Sequence, residues 1–178
     1  MSTAITALIS EEEYLHNPEF EHCEYVDGQA VPINVGTKKR SKTQVKLAQY
    51  LGVYLDEHPV GYAVAELHCL IVSNGKRQFR LPDICVVLGD ESPDSRFLER
   101  APDFVVEIKS PDDSVAFCTR KMELYLSVGS RLGWLVLPEE RAVLVFAPGQ
   151  PTRTVMAGES LDGGELLPDL AILVDKLF

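Results

Sequence analysis

The stretch Phe104-Val105-Val106-Glu107-Ile108-Lys109-Ser110-Pro111 puts two opposite charges into a run that otherwise has the composition of a buried strand. Side chains along a strand alternate between its faces, so Phe104, Val106 and Ile108 share one face and Val105, Glu107 and Lys109 the other. At the usual rise per residue the Cα atoms of Glu107 and Lys109 lie about 6.6–7 Å apart, near enough for both side chains to converge on one small ligand. Ser110-Pro111 stops the strand, since proline has no amide to give and restricts the residue before it.

A second carboxylate stands at the head of an upstream apolar run, where Leu81-Pro82-Asp83 precedes Ile84-Cys85-Val86-Val87-Leu88. Tyr62 to Leu67 and Leu70 to Ser73 read as extended, Asn74-Gly75 as a hairpin turn, and Arg77 to Leu88 as the returning strand. With a two-residue turn, Glu66 falls opposite Asp83, and directly opposed Cβ atoms sit about 4.5–5.5 Å apart. Two carboxylates at about 5 Å, in an effective dielectric near 20, repel by roughly 3 kcal/mol, which calls for a cation or a shared proton. A four-residue turn sets His68 against Asp83 instead, and Pro82 is a natural place for a bulge, so the register stays open.

Around these strands the chain alternates helical and extended patterns. Ser10-Glu11-Glu12-Glu13 carries a capping box and predicts a helix over Glu11 to His16, ended by Asn17-Pro18. Cys23 to Val26 and Gln29 to Ile33 flank Asp27-Gly28 as a hairpin. Leu47, Leu51, Tyr54 and Leu55 recur at helical spacing over Thr43 to Glu57. Lys38, Lys39, Arg40, Lys42 and Lys46 crowd the start of that helix, where the dipole prefers anions, which makes them candidates for contact with an anionic partner. Glu91 to Arg100, with Ser92-Pro93-Asp94, is a polar connection read as a loop or short helix, a solvated loop in the first instance and a substrate-facing segment as the alternative. Pro111-Asp112-Asp113 is expected to open a helix to about Val128, with Val115, Cys118, Met122, Tyr125 and Leu126 as its apolar stripe and Lys121 at the stripe's edge. Gly133 to Leu137, Ala142 to Ala147 and Arg153 to Met156 read as strands, with Trp134 in the core. Gly158 to Gly164 reads as a loop, and Ile172 to Phe178 as a short terminal helix.

Composition narrows the function classes. No apolar run reaches the roughly 20 residues of a membrane helix, and the N-terminus lacks a secretory pattern, so a cytoplasmic protein without a membrane partner is expected. Cys23, Cys69, Cys85 and Cys118 have no C-x-x-C spacing and are expected as core thiols. The chain carries no G-x-S-x-G, and its four histidines have no evident nucleophile partner. A net charge of −10 counts against a broad nonspecific binder of nucleic acid, although a local basic patch or a metal in an acidic site still permits productive contact.

Pro82-Asp83 followed by Glu107-Ile108-Lys109 resembles the PD-(D/E)xK nuclease superfamily, and within it the Uma-two-like, restriction-endonuclease-like family. Further signposts run in order along most of the chain: Glu24-Tyr25-Val26-Asp27-Gly28, Arg80-Leu81-Pro82-Asp83, Ala101-Pro102-Asp103 to Glu107, Ser110-Pro111, Lys121 to Tyr125, Trp134-Leu135-Val136 and Gly158-Glu159-Ser160-Leu161. The resemblance implies an α/β fold in one domain over 1–178. An N-terminal helix and β-hairpin extension (1–35) precede a restriction-endonuclease-like core (36–147) with a central mixed sheet flanked by helices, and a C-terminal extension (148–178) follows. It implies hydrolysis of DNA phosphodiesters with Mg2+, or Mn2+, held by Asp83, Glu107 and the Ile108 carbonyl, with Glu66 and Glu24 as candidate further acids. Lys109 would orient or activate water, and Lys121 would assist or replace it, because the lysine of some relatives sits on this helix. Gln29 stands where relatives often carry glutamate, and the histidine common in relatives near Arg40 is missing. A homodimer is expected, since cutting both strands of a duplex is simplest with two sites. The competing expectation is an inactive nuclease-like fold that binds nucleic acid or regulates.

Overall fold

The computed structural model describes residues 7–33, 36–89 and 95–178. Ser10 caps α1 (Glu11–His16), its side chain accepting from the Glu13 N–H at 3.0 Å. The hairpin of β1 (Cys23–Val26) and β2 (Gln29–Pro32) closes on Asp27 and Gly28, with φ of 49° and 79°, the left-handed pair that a tight two-residue turn needs.

The first long helix starts earlier than its apolar repeat suggests. Thr37 caps α2 (Lys38–Glu57) by accepting from the Arg40 N–H, so the basic residues occupy its first turns and not a preceding loop. Leu47 and Leu51 on its inner face are fully buried, a burial worth about 1.5–3 kcal/mol for each side chain.

The chain then moves between two sheets. β3 (Gly61–Ala65) pairs with β6 (Ile84–Leu88), whereas β4 (His68–Ser73) pairs with β5 (Lys76–Arg80). Both ladders keep the register of a two-residue turn at Asn74-Gly75, ending at Ala65↔Ile84 and Cys69↔Arg80. The expected continuous hairpin is nevertheless split. Glu66 turns at φ 54°, and Leu81-Pro82-Asp83 crosses from one sheet to the other where proline cannot donate to a ladder.

Among the described residues, β7 (Phe97–Leu98) completes a five-stranded sheet in the order β2-β1-β5-β4-β7, so the N-terminal hairpin is woven into that sheet through Tyr25↔Phe79. The expected loop or short helix at Glu91 to Arg100 lies outside the described residues at 91–94, and its described remainder holds no helix but the strand β7. Among the described residues, β8 (Phe104–Ile108), β9 (Leu132–Leu137), β10 (Ala142–Phe146) and β11 (Arg153–Met156) join β6 and β3 in a six-stranded mixed sheet, β11-β10-β9-β8-β6-β3, in which β8 and β9 run parallel. Ser114, not Pro111, caps α3 (Val115–Ser127), and its hydroxyl accepts from the Phe117 N–H at 3.1 Å.

The two helices cover opposite faces of this sheet. Phe104, Val106 and Ile108 face Leu47, Leu51 and Tyr54 of α2 in one apolar cluster, and Val105 packs with Cys118, Met122 and Tyr125 of α3 in another. Strand alternation therefore sends Glu107 toward α3. Trp134 is fully buried against Phe104, edge to face at 4.7 Å between ring centres, and the four cysteines are free and buried. The C-terminus differs from expectation: β12 (Ser160–Gly163) and β13 (Leu167–Leu173) pair as strands, and a 3-10 turn (Val174–Leu177) follows. Leu161, Leu167, Leu170 and Ile172 bury into the α2-side cluster, so the expected loop at Gly158 to Gly164 is largely strand, and the expected helix at Ile172 to Phe178 shortens to the 3-10 turn.

Candidate active site

Asp83 sits at the crossover between sheets, next to the end of β8. The β6–β8 ladder closes at Ile84↔Val106, leaving the next inward amide of β8 without a ladder partner on that side. Asp83 takes it: the Ile108 N–H donates to Asp83 Oδ2 at 2.6 Å. Arg40, from the first turn of α2, pairs with Asp83 Oδ1, and its Nε donates to the Ile108 carbonyl at 3.3 Å. The guanidinium thus bridges two of the oxygens that the resemblance assigns to a metal.

Glu107 lies on the other side of this group, buried among α3 residues. The Lys121 ammonium stands 2.9 Å from Glu107 Oε1 and 2.9 Å from Glu24 Oε1, and the Tyr125 hydroxyl donates to Glu107 Oε1 at 3.1 Å. Glu24 is fixed in turn by Arg80 at 2.9 Å and by the Leu81 N–H at 3.3 Å. Asp83, Glu107 and Glu24 are buried, and each meets a resident cation: Arg40, Lys121, and Lys121 with Arg80.

These surroundings set the protonation states. Burial pushes the Glu107 carboxyl up to about 7; Lys121 pulls the other way, while the Asp83 and Glu24 charges add to the rise. Burial also raises Asp83, against the opposing pull of Arg40 and the Ile108 N–H. Glu24 is buried as deeply, yet Lys121 and Arg80 together hold its carboxyl low. Burial disfavours the Lys121 charge, but Glu107 and Glu24 outweigh it and hold the ammonium protonated. Lys121 and Glu107 shift in ways that disagree for a simple ion pair. The geometry resolves this: Lys121 is shared with Glu24, which remains ionised, so Glu107 is the member of the trio that takes up a proton.

Of the expected site residues, Asp83, Glu107, the Ile108 carbonyl, Lys121 and Glu24 are brought together. Lys109 is half-buried, and its Nζ donates to the Ser110 carbonyl at 3.2 Å instead of pairing with Asp83 or Glu107. Glu66 is also outside the cluster: it is exposed, and Gln44 Nε2 spans from its carboxylate at 3.3 Å to the Asp83 backbone carbonyl at 3.0 Å. Its expected confrontation with the Asp83 carboxylate is replaced by this bridge, because the chain turns sharply at Glu66 itself.

The basic group at the start of α2 divides three ways. Arg40 enters the site, Lys39 pairs with Glu139 at 3.0 Å, and Lys46 donates to the Lys176 carbonyl at 2.7 Å. Lys38 and Lys42 lie exposed. Arg40, Arg80 and Tyr125 are the members of the site that residue patterns missed. Arg40 was legible only as one charge among five, and Tyr125 only as part of an apolar stripe.

A cavity of about 210 Å³ opens over the cluster, lined by Glu24, Arg40, Glu107, Ile108 and Lys121, with the half-exposed Phe117 at its edge. A hollow of about 260 Å³ beside Tyr14, Phe20 and His68 holds none of the clustered acids. Among the described residues no three His, Cys, Asp or Glu side chains form a metal cage. Asp83, Glu107 and the Ile108 carbonyl offer only hard oxygen donors, two carboxylates and a carbonyl. That set suits Mg2+, which needs only one or two carboxylates beside its waters and a substrate phosphate.

Comparison with known proteins agrees with this architecture. A solved structure described as "a putative nuclease belonging to DUF820 from Anabaena variabilis ATCC 29413" is similar with a TM-score of 0.81 and 25% sequence identity, covering 94% of this chain and 96% of that one. The mixed sheets and flanking helices form a restriction-endonuclease-like α/β fold. No curated protein matches the sequence. The Uma2 family profile, described as "Putative restriction endonuclease", matches residues 11–175, and the chain belongs to that family.

Proposed function

We propose that this protein is a metal-dependent endonuclease that hydrolyses DNA phosphodiester bonds at the Asp83–Glu107–Lys121 cluster. The observation that carries the reading is that buried Glu107, Ile108 and the Lys121 ammonium line one cavity, with buried Asp83 bonded to the Ile108 N–H beside it, in a chain from a nuclease-like family. A Mg2+ or Mn2+ ion held by Asp83, Glu107 and the Ile108 carbonyl would supply Lewis-acid stabilisation of the phosphate and acidify the attacking water.

The remaining work belongs to the chain's own groups. Lys121 stays charged, so its part is electrostatic: it stabilises negative charge building on the phosphoryl oxygens and does not abstract a proton. Tyr125 and Lys121 both hold Glu107 Oε1, which fixes the carboxylate's orientation. Glu24, locked by Arg80 and Leu81, positions Lys121. Lys109, the residue after Ile108, is assigned a supporting role toward substrate, and exposed Lys38 and Lys42 are assigned phosphate contacts. Glu66 is assigned no place in the metal set, and a homodimer would present two such sites to a duplex.

A specific observation favours the second reading, a binding or regulatory module without turnover: every clustered acid already has a cation partner within the chain. Nicking of supercoiled plasmid separates the two. The nuclease reading expects Mg2+-supported nicking that EDTA stops and that Asp83→Asn and Glu107→Gln lose. DNA binding with no cleavage under any divalent ion tested would establish the module instead.

A further inference from the structure

The Arg40 guanidinium occupies an unusual position for a residue in a basic helix start. It pairs with Asp83 Oδ1 and donates through Nε to the Ile108 carbonyl, although its neighbours Lys38, Lys39 and Lys42 face solvent. Its side chain is only 12% exposed.

Two independent features point to an exchange. Once Glu107 is ionised, as metal ligation requires, charges within the cluster are already matched, Arg40, Arg80 and Lys121 against Asp83, Glu24 and Glu107. A divalent ion added to this arrangement would leave buried positive charge uncompensated, at a cost of several kcal/mol, unless a resident cation moved out. Arg40 is the one of the three that touches both Asp83 and the Ile108 carbonyl. The second feature is Gly36. A Cβ there would lie 2.8 Å from Arg40 Nη1 and 3.0 Å from its Cδ, so the absence of a side chain at position 36 makes room for the guanidinium to fold into the cavity.

We propose that Arg40 is a tethered counter-cation that stands where a divalent ion binds, so that the ion enters only as the guanidinium leaves Asp83 and the Ile108 carbonyl. This rests on the metal-site reading above and adds a competitor to it. The exchange makes ion binding weak in the free protein. It also frees a guanidinium beside the cavity, where a phosphate offers a bidentate partner in place of Asp83.

Titration with Mn2+, followed by the paramagnetic resonance signal of the free ion and without nucleic acid, tests the exchange in wild type, Arg40→Gln, Gly36→Ala and Arg40→Gln/Asp83→Asn. Circular dichroism checks that each variant is folded. Arg40→Gln is expected to bind at least about tenfold tighter than wild type, since each factor of ten needs only the loss of one modest competing interaction. Gly36→Ala, which pushes the guanidinium aside and leaves every charge in place, is expected to tighten binding in the same direction. The double variant is expected to lose that gain. Asp83-dependent binding that is no tighter in Arg40→Gln or Gly36→Ala than in wild type overturns the counter-cation and leaves the metal site standing. Mn2+ binding that ignores Asp83, or no binding in any folded variant, overturns both. Should Arg40→Gln fail to fold, the Gly36→Ala comparison decides the matter alone.

Discussion

Lys121 and Glu107 meet nitrogen to oxygen at 2.9 Å, one from a helix and one from a central strand, in the interior of the protein. Lys109, only two residues beyond Glu107, bonds instead to the Ser110 carbonyl. The lysine of the sequence motif and the lysine that pairs with Glu107 are therefore different residues.

Lys121→Met is expected to lower plasmid nicking by about 10²–10³-fold, the usual effect of removing one preorganised charge-stabilising donor. It also leaves two buried carboxylates without their shared cation, which costs about 3–5 kcal/mol of stability. Lys109→Met is expected to keep wild-type stability and lose less than about tenfold in rate, because its partner is a single backbone carbonyl. Rates from plasmid nicking, with unfolding free energies from urea titration, check both; a larger rate loss in Lys109→Met than in Lys121→Met would reverse the assignment.

Stability should depend on pH through Glu107. The folded protein holds this proton up to about 7, whereas an unfolded glutamate releases it near 4.5. Between those values the folded state binds more protons, so stability falls as pH rises through the window. A shift of this size corresponds to about 3 kcal/mol. Urea unfolding of the metal-free protein at pH 5 and pH 7.5 should show a loss of this order in wild type and a smaller one in Glu107→Gln, where Asp83, also raised by burial, still contributes. Glu24, held low by Lys121 and Arg80 in spite of its burial, acts the other way: its stabilisation is present above the ordinary carboxylate range and is lost as pH falls below it.

The lysines at the start of α2 should separate by their partners. Lys39 and Lys46 already bond within the protein, whereas Lys38 and Lys42 are exposed. In an Asp83→Asn background, Lys38→Ala/Lys42→Ala is expected to weaken duplex binding. It should reduce the slope of log K against log salt by about 1–2, close to 0.9 for each phosphate that is no longer neutralised. Lys39→Ala/Lys46→Ala should change the slope by less. Fluorescence anisotropy at three or more salt concentrations gives both values.

Light scattering at micromolar protein is expected to give the mass of two chains, in keeping with two sites acting on a duplex. The mass of one chain at every concentration would remove the paired-cut arrangement and leave single-strand nicking.

Local chemistry makes much of this molecule legible in its sequence. The Asp27-Gly28 turn fixes one hairpin, strand alternation places Glu107 opposite the apolar face, and the Asn74-Gly75 turn sets a register that two separate ladders keep. The split between those ladders is harder to read. Proline at 82 signals an interruption, but only the second sheet shows that the strand changes partners there. Thr37 is a readable cap that the later start of the apolar repeat conceals. Arg40 and Tyr125 lie beyond any local pattern, because each meets the cluster across a tertiary contact: Arg40 from α2 to Asp83, and Tyr125 from α3 to Glu107. At the C-terminus the strand β13 goes unread, because its buried residues Leu167, Leu170 and Ile172 do not alternate cleanly.

Anomalous diffraction at the manganese edge from crystals soaked in MnCl2 tests the central claim most directly. The account predicts one strong peak within coordinating distance of the Asp83 and Glu107 carboxylates and the Ile108 carbonyl, with Lys121 still against Glu107. Strong manganese peaks at other places, with Asp83 and Glu107 bound only to Arg40 and Lys121, would contradict it.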